Sequence, residues 1–531
     1  MIIAEAALPR PFKYTIMAEH GFRKWIITFT VITAALLELI DTTIVNVAIP
    51  HIMGNLGATL DDAGWVVTSY AVANVIILPM SGWLGDRFGR KNYFLASILL
   101  FTFTSFLCGN AHTLTELIVF RVIQGLAGGG LLSTAQAILM ETWPREEIGM
   151  ATALFGLGAV VGPTVGPTIG GFIVDHFSWP YIFYVNIPVG AVAAFLVSTF
   201  VRESPKYAKG QPIDWWGILL LALGVGSLQV VLEKGEQEDW FSKTYIAVLA
   251  LTTIVSGIIF LWRELSTDHP VVNFKILKTR SFAIGIVTTF TLGFALYGSV
   301  FIFPVFCQNL LGFSAQQTGF LLFPGGLATI CMMPFVGVML KRGVPAQFMS
   351  AGGFIMFFVF TLMLANSTLN SGYSDFFFPL IIRGVGMSIL FVPLTTLALQ
   401  DLKGPDIGQG TGLNNMMRQL GGSFGIAIIT TLIHLKSSVV RNALIPYVNP
   451  YNPAYIQENQ GLVQNFIGKG YGPLVAQQMA NQAVEGRIVK QTMLITYDNL
   501  YLVIGLFTLF CVPIIFLQKF RKKAPVMAGA H

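Results

Sequence analysis

Two carboxylates, Glu38 and Asp41, stand three residues apart in the otherwise apolar stretch LLELIDTTIVNVAIP (36–50). Helical geometry puts positions i and i+3 on one side, so the two are neighbours. Carboxylates that close do not both ionise readily, and one shared proton is their natural state. In a low-dielectric cavity the charged form is disfavoured, so such a group binds protons from one side and releases them to the other. A cationic ligand would compete for the same group. Two arginines, Arg121 and Arg383, also lie in apolar runs, where a positive charge costs about +2.5 to +3.5 kcal/mol at the centre of a span. Each calls for a cavity or a partner. For Arg383, snorkelling to the nearer interface stays open as well.

The elements that must position these groups are membrane helices. The chain is 54% hydrophobic and 11% charged with a mean hydropathy of +0.69, whereas soluble domains carry about 25% charged residues. About fourteen apolar runs, the first near 25–47 and the last near 497–517, are each long enough to cross a hydrocarbon core of about 30 Å. The expected class is therefore an all-α integral membrane protein. The first run is too long for a cleaved signal peptide.

Lys and Arg concentrate in every second loop: Arg87, Arg90 and Lys91; Arg145; Arg202, Lys206 and Lys209; Arg263, Lys275, Lys278 and Arg280; Lys341 and Arg342; Lys403. The positive-inside rule puts those loops in the cytoplasm. Arg10, Lys13, Arg23 and Lys24, and the tail KFRKK (519–523), fall on that same side, so both termini are expected to be cytoplasmic. This topology accounts for the net charge of +6 without nucleic acid. Cys108, Cys307, Cys331 and Cys511 have no metal-ligand spacing, and neither GxxxxGK[ST] nor HExxH occurs. No metal and no cofactor is expected, and transport would draw on an ion gradient or on the substrate itself.

An internal repeat organises the runs. FRVIQGLAGGG (120–130) in the fourth and IIRGVGMSILF (381–391) in the twelfth each place an Arg before a Gly-rich stretch, and GWLGDRFGRK (82–91) has a counterpart in GVMLKRGV (337–344). Parallel six-helix repeats are a known plan for secondary transporters, with substrate handled between the halves. The expected division is a first half to 201, an inserted two-helix hairpin with flanking loops at 202–281, a second half at 282–517 that includes a long outward loop at 435–495, and a basic tail at 518–531.

Gly82, Leu84, Asp86, Arg87, Gly89, Arg90 and Lys91 resemble the signature loop of the major facilitator superfamily. LIDTTIVNVAIP (39–50), Arg121-x-x-Gln124-Gly125 and GPTIGG (166–171) resemble further signatures of its drug:proton antiporters. With about fourteen runs, the similarity is to the EmrB/QacA group, and to the EmrB type in particular. The resemblance implies two six-helix halves plus two inserted helices. It also implies efflux of lipophilic or cationic drugs driven by the proton gradient, a bacterial inner-membrane location, and a periplasmic adaptor with an outer-membrane channel as partners. A nutrient symporter or facilitator of the same fold, and a membrane receptor, are the alternatives.

Physical readings accompany each motif. Asp86 among Arg87 and Arg90, flanked by Gly82 and Gly89, is suited to latch one conformation through charge-assisted hydrogen bonds. The resemblance implies that Asp86 faces the start of a second-half helix near Asp406 to Gly412. The copy in the second half has no Asp, so a latch there is weaker or differently built. Gly158, Gly162, Gly166 and Gly170 recur at every fourth position, allowing close helix approach, and Pro163 and Pro167 remove backbone donors. That helix is read either as a seal between halves or as ordinary small-residue packing. The family pattern has a Gly where this chain has Ala153. Asp41 is the first candidate for proton carrier, and the resemblance implies that Arg121 lies near enough to the first helix to modulate the acidity of Glu38 or Asp41. Glu38 is either a tuner of Asp41 or a contact for cationic substrates. Asn46, Trp65, Tyr70, Gln124, Tyr297, Phe301, Arg383 and Asn414 are further candidates for the substrate cavity. The 435–495 loop, with helix-like spacing in LVAQQMANQAVEGRIVKQ (474–491), either docks a partner or packs on itself.

Overall fold

A computed structural model describes residues 19, 21–204, 210, 212–449 and 451–518. The expectations for Arg10, Lys13, Lys206, Lys209 and the basic tail from 519 fall outside these residues. Fourteen helices among the described residues are long and apolar enough to cross a membrane, and no strand occurs among them.

The first group comprises α1 (Phe22–Leu56), α2 (Leu60–Phe88), α3 (Arg90–Gly109), α4 (Leu114–Thr142), α5 (Ile148–His176), and a sixth span built from α6 (Tyr181–Tyr184) and α7 (Asn186–Phe200). Next come α8 (Trp215–Lys234) and α9 (Thr244–Ser266). The remaining helices are α10 (Arg280–Asn309), α11 (Ala315–Lys341), α12 (Ala346–Leu364), α13 (Tyr373–Leu399), α14 (Pro405–Leu444), α15 (Pro453–Gly468), α16 (Pro473–Leu509) and α17 (Cys511–Phe516). Local chemistry sets several ends. The Thr59 and Thr113 hydroxyls accept from the N–H groups of Asp62 and Glu116, and Ser314 with Gln317 forms a capping box.

The same packing recurs twice. α1 lies on α5, α2 on α4, α3 on α4 and α3 on α7; correspondingly α10 lies on α14, α11 on α13, α12 on α13 and α12 on α16. Between the groups, α5 meets α11 and α13, while α14 meets α2 and α4. Arg121 and Arg383 therefore occupy equivalent helices, α4 and α13, as the paired sequence motifs anticipate.

α8 and α9 pack together, and α8 also touches α2 and α14. At the face opposite the basic loops, the turn after α8 holds both groups. The Lys234 ammonium donates to the Asp61 carbonyl of α2 at 3.4 Å, and the Trp240 indole N–H to the Thr431 hydroxyl of α14 at 3.1 Å. α9 leaves Val248, Leu251, Ile254, Ile258 and Trp262 on the outside of the bundle, as lipid contact requires.

The expected long loop at 435–495 is helical over most of its length. α14 continues to Leu444, α15 packs on the first turns of α16, and Arg441 pairs with Glu485 at 2.6 Å while Arg487 pairs with Glu458.

Candidate functional site

α4 and α2 approach so closely that a Cβ on Gly125 would lie 2.5 Å from the Tyr70 carbonyl oxygen. That approach sets the Arg121 guanidinium 4.0 Å from the centre of the Tyr70 ring, with the Phe183 ring at 5.7 Å. Arg121 and Asp41 are both fully buried. Arg121 Nη1 donates to Asp41 Oδ2 at 2.5 Å and to Gln124 Oε1 at 2.8 Å, and Nε donates to the Val66 carbonyl at 3.1 Å. The second Asp41 oxygen accepts from Gln124 Nε2 at 3.1 Å and from Asn186 Nδ2 at 2.9 Å. Ser105 closes the ring, accepting from Gln124 at 2.7 Å and Asn186 at 3.4 Å. Asp41 thus accepts on both oxygens from three side-chain donors.

Glu38 is buried too, but it does not share a proton with Asp41 here. One oxygen accepts from Asn74 Nδ2 at 2.8 Å and the other from the Leu132 N–H at 3.1 Å. The expectation of a shared proton fails because each carboxylate turns to donors on α2, α4 and α7 rather than to the other. Both Glu38 donors belong to the first group, and from the second group Arg418 of α14 and Tyr297 of α10 act on Glu38 electrostatically.

The glycines of α5 face α1 of their own group. Gly158 lies against Ile32 and Leu36, Gly162 against Leu39, Gly166 against Thr43, and Gly170 against Ile44. A seal between halves is therefore not what this face forms; it presses α5 onto the helix that carries Glu38 and Asp41. Pro163 and Pro167 lie inside that continuous helix. The contact between groups uses another face of α5, with Gly149 against Leu340, Ala153 against Gly337 and Gly156 against Phe391.

At the basic-loop face, a Cβ on Gly82 would lie 2.4 Å from backbone atoms of Gly408 and Gln409, and one on Gly412 would lie 2.6 Å from the Leu78 carbonyl oxygen. α2 and α14 thus meet backbone to backbone. The cross-group hydrogen bond comes from Arg90, whose Nη2 donates to the Gly404 carbonyl at 3.4 Å; Arg90 also pairs with Asp86 at 3.4 Å and with Glu141. Asp86 reaches α14 through Arg90 and also lies within electrostatic range of Asp406 in the first turn of that helix. Arg87 stacks over the Trp83 ring at 5.5 Å, and Gly89 takes φ +90, with the Glu203 carboxylate filling the space of a Cβ. The second-half copy is built differently: Lys341 donates to Glu147 of the first group at 2.8 Å, and Lys24 to the other Glu147 oxygen at 2.6 Å. Across the middle, Asn415 Nδ2 donates to Ser133 at 3.2 Å and to Gln136 at 3.0 Å.

The remaining candidates scatter. Tyr70 and Gln124 join the Asp41 cluster. Asn46 is exposed near the far end of α1, and half-buried Trp65 lies 5.8 Å from the Lys234 ammonium. Phe301 is half-buried within α10. Arg383 donates to Ser299 at 3.2 Å, and Asn414 accepts from Thr289 at 2.9 Å, both inside the second group. Neither meets the Asp41 cluster. Sequence reasoning missed Asn74, Ser105, Glu141, Glu147, Asn186 and Arg418. Arg418 carried the same signal as Arg121, a charge inside an apolar run.

The Major Facilitator Superfamily profile matches residues 31–426. The multidrug export protein EmrB of Haemophilus influenzae is 35% identical over 463 residues, 86% of this chain and 90% of that protein. The protein of the same name in Escherichia coli K12 is 32% identical, with 91% and 93% covered. The fatty acid resistance protein FarB of Neisseria gonorrhoeae is 30% identical, with 93% and 96% covered. In fold alone, the human organic anion transporter MFSD10 superposes with a TM-score of 0.56 at 13% identity, covering 92% of this chain and 99% of that one. The chain belongs to the major facilitator superfamily of transporters.

Proposed function

We propose that this chain is a proton-driven exporter of hydrophobic and amphipathic toxic compounds, with Asp41 as the proton carrier. The observation that carries the reading is the Asp41–Arg121 pair, sealed inside the bundle with Gln124 and Asn186 as further donors. The EmrB relatives' names support drugs as the cargo.

In the arrangement described, Asp41 is paired with Arg121 and the basic-loop face is closed at Gly82 and Gly408. Protonation of Asp41 removes one charge of the pair and leaves Arg121 to be compensated elsewhere, which biases the bundle toward another state. Alternating access then returns the proton on one side and the drug on the other. Arg90, Asp86 and Glu147 hold the closed state at the basic face. The positive-inside rule supports a cytoplasmic side for that face, with both termini on it, and the likeness to bacterial EmrB proteins supports an inner-membrane location. Glu38, with Tyr297 across from it, contacts cationic drugs. α15 and the first turns of α16 dock a periplasmic adaptor that leads to an outer-membrane channel.

Proton release on drug addition to purified protein tests the coupling. A proton-driven exporter releases protons, and D41N reduces the signal; a normal signal in D41N excludes Asp41 as the carrier. Unchanged adaptor crosslinking after deletion of 450–490 excludes the docking role.

A further inference from the structure

The interior of the second group carries a cation that its own residues do not neutralise. Arg418 is 3% exposed, its Nη1 is buried with no hydrogen-bond partner, and its guanidinium lies 5.2 Å from the Phe391 ring centre. It sits in α14 at the level where that helix presses hardest on α10, since a Cβ on Gly293 would fall 1.9 Å from the Arg418 carbonyl oxygen. One turn on, Gly422 makes room for the Tyr297 ring, whose hydroxyl interacts with the guanidinium. One turn back, Asn415 reaches α4 through Ser133 and Gln136, and its Oδ1, like Gln136 Nε2 and Asn74 Oδ1, is buried without a partner. Unsatisfied buried polar atoms cost free energy. These converge from both groups on one seam between α2, α4, α10 and α14.

We propose that this seam is a binding site for the anionic head of an amphiphile, a single-chain carboxylate, held by Arg418 and Tyr297 and admitted when Glu38 carries a proton. Guanidinium against carboxylate is a charge-assisted match, and the buried Arg418 Nη1 has no partner to give up for it. The Phe391 ring beside the guanidinium supplies the first apolar contact for the tail. This rests on the reading of the chain as an exporter of amphipathic compounds and names one class of them.

Glu38 is the gate because an ionised carboxylate facing Arg418 occupies the charge that the ligand needs. The titratable and charged groups that face Glu38 are Arg418 from α14, Asp41 from its own helix, Tyr70 from α2, Tyr93 from α3 and Tyr297 from α10. Asp41 is already paired with Arg121, so Arg418 is the cation left for Glu38 or for a ligand. Proton and carboxylate therefore bind together at this seam, apart from the proton exchange at Asp41.

The test is binding of decanoate, with decanol as the uncharged control, to the full chain in nanodiscs. Wild type should bind decanoate more tightly than decanol, and more tightly as pH falls. R418Q should weaken decanoate about tenfold or more and leave decanol unchanged. E38Q should keep decanoate binding and lose its pH dependence. Should R418Q fail to assemble, Y297F decides: it removes the hydroxyl and keeps the charge, and should weaken decanoate but not decanol. Equal binding of decanoate and decanol by wild type, equal decanoate binding by wild type and R418Q or Y297F, or an unchanged pH slope in E38Q overturns the proposal. Proton release on addition of a cationic drug to wild type is measured separately. Its loss with decanoate binding intact overturns the exporter reading, and the reverse pattern overturns this site alone.

Discussion

Lys341, from the motif copy that lacks an acidic residue, donates to Glu147 of the other group at 2.8 Å, while Lys24 holds the second Glu147 oxygen at 2.6 Å. The two copies of the signature loop thus make complementary ties at one face. Arg90 reaches across to a carbonyl of the second group, and Lys341 reaches back to a carboxylate of the first. Lys341 is half in water, so its pair with Glu147 contributes only about 0.2 to 1 kcal/mol. E147Q should raise the population open at this face by up to about fivefold, the Boltzmann factor of such a loss. Labelling of a cysteine placed between α5 and α11 reads that shift, and K341M should add little in the E147Q background.

Gly82 offers a steeper test. A methyl group there meets backbone rather than a movable side chain, so G82A should keep the closed state from forming. Transport should fall to background while the melting temperature changes little, because the α2–α14 contact joins the two groups rather than building either. Cysteine accessibility at the basic face reads the first effect, and thermal unfolding the second.

Asp41 and Arg121 are coupled by burial. D41N strands a guanidinium in the interior, and breaking such a pair typically costs about 3–5 kcal/mol. D41N combined with R121M should recover much of the stability and none of the proton release. A double-mutant cycle on thermal stability measures the coupling.

Gly166 holds α5 to α1. A Cβ there would fall 2.0 Å from the Thr43 hydroxyl oxygen, so G166A should destabilise the first group, and T43A should restore part of the loss. Melting curves of the two single variants and the double variant decide it.

Asp214, just outside α8, gives a pH test. Burial disfavours its charged form, and hydrogen bonds from Arg263 and the Gly217 N–H outweigh that, holding the carboxyl below its usual range. A lowered value means that the stabilisation is complete above the ordinary carboxylate pKa, about 3.9, and is lost as pH falls through the depressed value. D214N should therefore lower the melting temperature at neutral pH, and the gap from wild type should narrow only in strong acid.

Membrane class, the fourteen helices and the equivalence of α4 with α13 were legible because apolar length and repeated Arg–Gly patterns are local signals. That Arg121 needs a cavity or a partner was legible for the same reason, whereas its nearness to the helix of Glu38 and Asp41 came only as an implication of the family resemblance. What sequence could not supply was direction. Periodicity put the α5 glycines on one face without saying that α1, rather than the second group, lies against it. It made Glu38 and Asp41 neighbours without saying that Asn74, the Leu132 N–H and Asn186 would draw them apart. Glu141 and Glu147 gain their cations only in the packed bundle, Glu141 from Arg90 within the first group and Glu147 from Lys24 of the first group and Lys341 of the second.

The turn after α8 is bonded to Asp61 on one side and Thr431 on the other. Any rearrangement that spreads α2 from α14 at that face must stretch this bridge or release one end of it. The extra hairpin is thus a tether across that face: two hydrogen bonds, one to each group, oppose its widening.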